Sequence, residues 1–146
     1  MNRALSARRI PSLAGLGGAI GCLAVAAIYL RAIFQQGAVA PGGRVPFVTA
    51  WLVISALVAA VGAFSPAPGR RALLLGAAAA LMLTLSFPAL LSIGAPLFIC
   101  GVAAALGAWR ATTTFHLSSF QWLAIPVLLL VGAVVLLLAG FALTAG

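Results

Sequence analysis

The residue types that could catalyse a reaction are few in this chain. Nucleophilic catalysis needs an activated serine, cysteine or threonine beside a base, and the only histidine is His116. Three serines stand in apolar surroundings, Ser55, Ser86 and Ser92, and none lies in a GxSxG-type setting. The sequence therefore predicts no catalytic residue and a protein that is not an enzyme.

Asp, Glu and Lys are absent, which excludes whole classes of chemistry. Glycoside hydrolysis by paired carboxylic acids, hard-cation sites built on carboxylates and carboxylate proton relays all need side chains that the chain lacks. No histidine and cysteine cluster has metal-ligand spacing, and no glycine-rich loop with a lysine could hold a phosphate. The sequence therefore predicts no metal site and no cofactor.

The remaining single candidates have structural alternatives. His116 could ligate a haem or chlorophyll axially, and it is the one cofactor-binding candidate, but its expected place in a loop near the membrane surface favours a solvated histidine. Cys22 and Cys100 both fall in apolar runs. We expect each cysteine to be a small core residue rather than a disulfide partner or a metal ligand.

The charge of the chain comes from arginine alone. Its net charge of +8 is typical of proteins that bind nucleic acid. Here, however, the arginines are spread between apolar runs, which favours a role in orienting membrane spans over nucleic-acid binding. The eight arginines are Arg3, Arg8, Arg9, Arg31, Arg44, Arg70, Arg71 and Arg110.

The composition of the chain indicates whether water or a membrane surrounds it. The chain is 65% hydrophobic and 5% charged, whereas a soluble domain is about 45–50% apolar and about 25% charged. Too few polar residues remain to cover so much apolar surface in water. We therefore expect one all-α domain over residues 1–146, a polytopic bundle of transmembrane helices in a bacterial inner membrane.

Five spans are predicted from the apolar runs, at about 12–30, 46–64, 72–91, 96–114 and 120–143. The third and fourth come from one uncharged stretch, 72–109, which as a single helix would be about 57 Å long, nearly twice the roughly 30 Å hydrocarbon core. Gly94 in a left-handed stop conformation and Pro96 in the first turn of the next helix would divide it. The alternative, one helix kinked at Pro88, gives four spans.

The arginines favour five spans over four. With the N-terminus inside and five spans, six of the eight arginines lie on the cytoplasmic side, and only Arg31 and Arg44 lie outside. The four-span alternative moves Arg110 outside, which fits the positive-inside rule less well. The cytoplasmic arginines flanking the spans form what we call the arginine rim, expected to contact lipid headgroups or a partner protein. Its members are Arg8, Arg9, Arg70, Arg71 and Arg110.

Small residues at i, i+4 spacing predict where helices approach closely in a membrane. The first span carries Gly17 and Gly21, the third Gly76 and Ala80, and the fourth Ala103 and Gly107. The first, third and fourth spans are therefore expected to form the inner bundle. The fifth span is bulky and branched, and we expect it to face lipid or a partner.

The segment at 69–110, GRRALLLGAAAALMLTLSFPALLSIGAPLFICGVAAALGAWR, resembles stretches in small uncharacterised multi-pass membrane proteins of GC-rich bacteria. The resemblance covers about a third of the chain and implies no activity. The leading hypothesis is a non-catalytic accessory or scaffolding subunit that packs against other membrane subunits or against itself.

Two other functions stay open, a small oligomeric transporter or channel and a lipid-handling protein that uses the arginine rim with anionic lipids. A transporter needs a polar path, and the few hydroxyls in the spans are the only candidates for one. Thr49, Thr84 and Ser86 are instead expected to bond back to carbonyls of their own helices.

Overall fold

The computed structural model describes residues 2–35, 43–89, 93–113 and 119–144, with side chains described from residue 13 in the first range and from residue 124 in the last. These ranges contain helices and no strand, which confirms the all-α prediction. The helices are α1 (Asn2–Gln35), α2 (Arg44–Phe64), α3 (Pro68–Ser86), α4 (Ala95–Thr112) and α5 (Ser119–Leu143).

All five helices are long and apolar enough to cross a membrane, so by length and composition this is a multi-pass membrane protein. The five-span prediction is confirmed, and the four-span alternative is wrong because α3 and α4 are separate helices. The spanning stretches are Leu13–Gln35, Arg44–Phe64, Pro68–Ser86, Ala95–Thr112 and Ala124–Leu143.

The first helix begins earlier and ends later than predicted. The prediction placed it at 12–30, but α1 runs from Asn2 to Gln35. Its early part is rich in alanine, leucine and arginine, which have high helix propensity, and Arg31 does not end the helix. Since each residue rises 1.5 Å, the part before Leu13 adds about 16 Å to the spanning stretch.

The third helix also differs from its prediction, because it ends at Ser86 rather than at residue 91. Pro88 has no N–H to donate to the carbonyl of Thr84 in the preceding turn. The helix stops there, although Phe87, the residue before the proline, keeps right-handed helical angles of φ −64° and ψ −56°, and Phe87–Ala89 form a turn. Residues 90–92, including Ser92, lie outside the described residues.

Gly94 opens α4 in a way that the sequence did not predict. Its φ of −65° is right-handed, so the predicted left-handed stop is wrong. Glycine is required there because backbone comes too close: a Cβ would overlap the Ser86 carbonyl oxygen and lie 2.7 Å from the Ala89 carbonyl carbon. The Gly94 N–H donates to the Ala89 carbonyl at 2.7 Å, and Pro96 lies in the first turn of α4 as predicted.

Four helices form a closed ring in which each packs against two others. The neighbours are α1 with α2 and α4, and α3 with α2 and α4, while α5 packs outside the ring against α3. The ring includes α2, which the predicted inner bundle left out. Its core is built of small and medium side chains, with Cys22, Leu52, Met82 and Leu97 fully buried.

Candidate functional site

The arginine rim divides into exposed and engaged side chains. Arg70 and Arg110 are exposed, while Arg71 is half-buried. The Arg71 guanidinium donates from Nε at 3.0 Å and from Nη2 at 2.6 Å to the carbonyl of Ser65. Arg8 and Arg9 lie in α1, but their side chains are outside the described residues.

Arg71 therefore fixes the turn between α2 and α3. Ser65 is the C-cap residue of α2, and the last carbonyls of a helix carry partial negative charge that a cation stabilises. The hydroxyl of Ser65 is buried without a hydrogen-bond partner. At this turn the carbonyl oxygen of Ser65, and not its hydroxyl, accepts the hydrogen bonds from Arg71.

The residues considered for chemistry do not assemble into a reactive cluster in the part of the chain that the structure describes. His116 lies outside the described residues. Cys22 and Cys100 are free thiols, and the Cys22 thiol donates to the Leu52 carbonyl on α2 at 3.3 Å. Cys22 therefore joins α1 to α2 as a core residue.

The hydroxyls of the spans bond within their own helices. Thr49 donates to Val45 at 2.9 Å, Thr84 to Ala80 at 2.7 Å, and Ser86 to Leu83 at 2.6 Å, as the sequence predicted. Ser55 does the same with the carbonyl of Trp51 at 2.7 Å. These hydroxyls each donate to a carbonyl of their own helix, which is the local pattern that serine and threonine adopt within helices.

Small residues let α1 approach α4, although not with the predicted pair. A Cβ on Gly21 would lie 2.5 Å from the Cys100 Sγ, and one on Gly18 would lie 3.4 Å from the Cys100 carbonyl oxygen. Gly17 is exposed, and a Cβ there would meet nothing within 4 Å. The contact face of α1 thus holds Gly21 and Gly18, and Gly17 points away from the other helices.

The small residues predicted on α3 and α4 occupy varied surroundings. Gly76 faces α5, where a Cβ would lie 3.4 Å from the Leu129 Cδ1. Ala80 and Gly107 are buried, and Ala103 is half-buried. Gly76 therefore marks an approach between α3 and α5 that spacing alone did not assign.

An apolar cleft of about 550 Å³ opens along α3 between α4 and α5. Its floor on α3 is made of small residues such as Gly69, Ala72 and Gly76, and α4 contributes Ala105 and Ala108. Sequence reasoning missed this cleft. The signal available was the recurrence of Gly and Ala at helical spacing on two neighbouring helices, with too little side chain to fill the space between them.

Comparison with known proteins provides no relative with which to interpret this site. No family model, curated protein or solved structure matches this chain. The resemblance of 69–110 to small bacterial membrane proteins therefore stays a prediction.

The fifth helix packs on the bundle along one face, which includes the buried Ala133 and Leu137, and is open along another. Near its end, the Phe141 ring lies 5.6 Å from the ring of Phe47 on α2, and further along the helix Leu129 rests on Gly76. Only 11% of its spanning stretch is buried, against 33–44% for the other four helices. One exposed face repeats at helical spacing and consists of Leu128, Val131, Gly132, Val135, Leu136 and Ala139.

Proposed function

We propose that this chain is a non-catalytic accessory or scaffolding subunit of the bacterial inner membrane, packed against other membrane subunits or copies of itself. The arginine distribution supports an orientation with the N-terminus and with Arg70, Arg71 and Arg110 on the cytoplasmic side. The protein needs no cofactor in this role, and its partners are membrane lipids and membrane proteins, not nucleic acid.

The open face of α5 is the observation that carries the proposal. Helices associate in lipid through close packing at small residues, because apolar surface alone gives no drive. Gly132 is such a residue: it is exposed on α5, and a Cβ there would meet nothing within 4 Å. Val131 and Val135 flank it with branched side chains that lose little rotamer freedom when a partner helix packs on them.

Native mass spectrometry of the protein in mild detergent tests the proposal. We expect either more than one copy or a second membrane protein in the same particle. Gly132→Leu should reduce that association, because the added side chain fills the shallow site where a partner helix would approach. Gly17→Leu is the matched control, since Gly17 is equally open but lies on α1. A lone monomer that stays monomeric across detergents would overturn the proposal.

The transporter alternative receives no comparable support. The hydroxyls of Ser55, Thr84 and Ser86, which would have to form its polar path, are bonded to carbonyls of their own helices. Flux of a polar solute into liposomes that contain the purified protein would restore this alternative.

A further inference from the structure

The cleft beside α3 is too small to enclose a helix. Its lining runs along α3 from Gly69 to Leu83, which is about 21 Å at 1.5 Å per residue. A helix of that length, about 10–12 Å across with its side chains, would occupy at least about 1,600 Å³, whereas the cleft has a volume of about 550 Å³. A span of a second copy therefore does not fit inside the cleft.

A hydrocarbon chain does fit. An extended acyl chain is only about 4 Å thick, the distance between carbon atoms in contact, and the lining of about 21 Å along α3 spans the roughly 15 Å depth of one leaflet of the hydrocarbon core. The cleft can therefore hold one acyl chain along its length. The lining is aliphatic apart from Trp109 and Thr112, and the Thr112 hydroxyl already donates to the Trp109 carbonyl at 2.6 Å. The described lining thus favours an apolar ligand over a polar one.

Positive charge lies at the end of the cleft where the lining includes Gly69, Trp109 and Thr112. Arg70 and Arg110 are neighbours in sequence of these lining residues, and both side chains are exposed. The chain has no Asp or Glu, so no side-chain carboxylate of its own competes for them. A phosphate group at the membrane surface complements this charge.

We propose that the cleft binds one acyl chain of an anionic phospholipid, taken from the leaflet at the Arg70 end, with the lipid phosphate held by Arg70 and Arg110. Arg71 is not part of the site, because its guanidinium serves the Ser65 carbonyl. This site is independent of the accessory role proposed above, since it lies between α3, α4 and α5 and not on the open face of α5.

Phosphatidylglycerol with a photoreactive group in one acyl chain tests the location. The purified protein, reconstituted into bilayer nanodiscs containing this probe, is irradiated, and the labelled peptides are mapped. We expect labels concentrated on the cleft-lining parts of α3, α4 and α5, and reduced by excess unlabelled phosphatidylglycerol. Labels spread evenly over the outward faces of all helices would overturn the proposal.

Matched variants test headgroup binding and acyl-chain binding separately. For the headgroup, the binding of phosphatidylglycerol and phosphatidylcholine is titrated by native mass spectrometry. Arg70→Gln with Arg110→Gln should weaken phosphatidylglycerol binding about 25-fold, or about fivefold for each arginine. Arg31→Gln with Arg44→Gln makes the same change in net charge with exposed arginines outside the cleft, and it should leave binding unchanged. Equal losses from the two pairs would contradict the site.

A second set of variants tests acyl-chain binding by filling the cleft. Ala108→Leu places a larger side chain in the cleft and should reduce acyl-chain labelling severalfold, whereas Ala24→Leu, exposed on α1, should not. Unchanged labelling of α3 in Ala108→Leu would overturn the proposal. Because photolabelling of the unaltered chain locates the lipid without any substitution, the proposal stays testable even if a variant fails to fold.

Discussion

Gly94 shows how one absent Cβ decides the turn between α3 and α4. Its φ is ordinary, so any residue could adopt its conformation, but a Cβ would overlap the Ser86 carbonyl oxygen. We predict that Gly94→Ala lowers the free energy of unfolding by about 1–3 kcal/mol, because backbone atoms cannot move aside as a side chain can.

Thermal unfolding in detergent, followed by the loss of helical circular dichroism, measures this effect. Gly132→Ala is the control, because a Cβ at Gly132 meets nothing within 4 Å, and since alanine favours a helix interior over glycine this variant should be neutral or stabilised by up to about 1 kcal/mol. Equal stability of the two variants would show that the close approach at Gly94 does not exist.

Arg71 and Arg70 are adjacent in sequence and should behave differently. Arg71→Gln removes the donors to the Ser65 carbonyl and should cost about 1–2 kcal/mol, whereas Arg70→Gln alters an exposed side chain and should cost little. Ser65→Ala should be neutral or stabilising, because it removes a buried hydroxyl that has no partner. Chemical unfolding of the three variants in one detergent compares them, and a large loss for Ser65→Ala would mean that its hydroxyl has an acceptor.

At the scale of helices, sequence patterns located four of the ten helix ends to within one residue. These are the last residue of α2, the first residue of α4 and both ends of α5, which follow from composition and proline positions. The end of α3 did not follow, because Pro88 was expected to kink a helix, as membranes allow, and not to stop it. The structure combines the missing N–H of Pro88 with a close approach of Gly94 to Ser86 and Ala89, and the pattern of apolar residues did not indicate that approach.

Helix faces were harder to predict than helix positions. The first span contains several glycines, and i, i+4 spacing selects a pair without saying which side of the helix meets a neighbour. The structure turns Gly21 toward Cys100 and leaves Gly17 open. The orientation of α1 depends on contacts with both α2 and α4, and these are not encoded in the spacing of two residues.

The contact of Gly21 with Cys100 gives a prediction for helix packing. Gly21→Ala should destabilise the bundle by about 1–3 kcal/mol, because its Cβ would lie 2.5 Å from the Cys100 Sγ. Adding Cys100→Ala should recover part of that loss by removing the opposing sulfur. Gly17→Ala, on the open side of α1, should change stability little, and a double-mutant cycle in detergent measures the coupling. Additive effects of Gly21→Ala and Cys100→Ala would contradict the contact.

At the scale of the whole molecule, the sequence predicted that α5 lies outside the bundle but did not predict the ring formed by the other four helices. The bulky, branched sequence of α5 predicted a helix outside the inner bundle, and the structure places it outside, against α3. The cleft beside α3 was missed, although the Gly and Ala residues of α3 and α4 indicate little side-chain volume there, because their spacing does not say which helices surround the resulting gap.

Orientation is the property of the whole molecule that the arginines predict. Five spans put the two ends of the chain on opposite sides of the membrane, and positive residues are retained in the cytoplasm. We predict that a reporter fused after residue 146 is active only outside the cytoplasm, while one fused to a chain ended after residue 67 is active only inside it. If both reporters were active in the same compartment, the number of spans after α2 would have to be even, and the charge argument for Arg110 would fail with it.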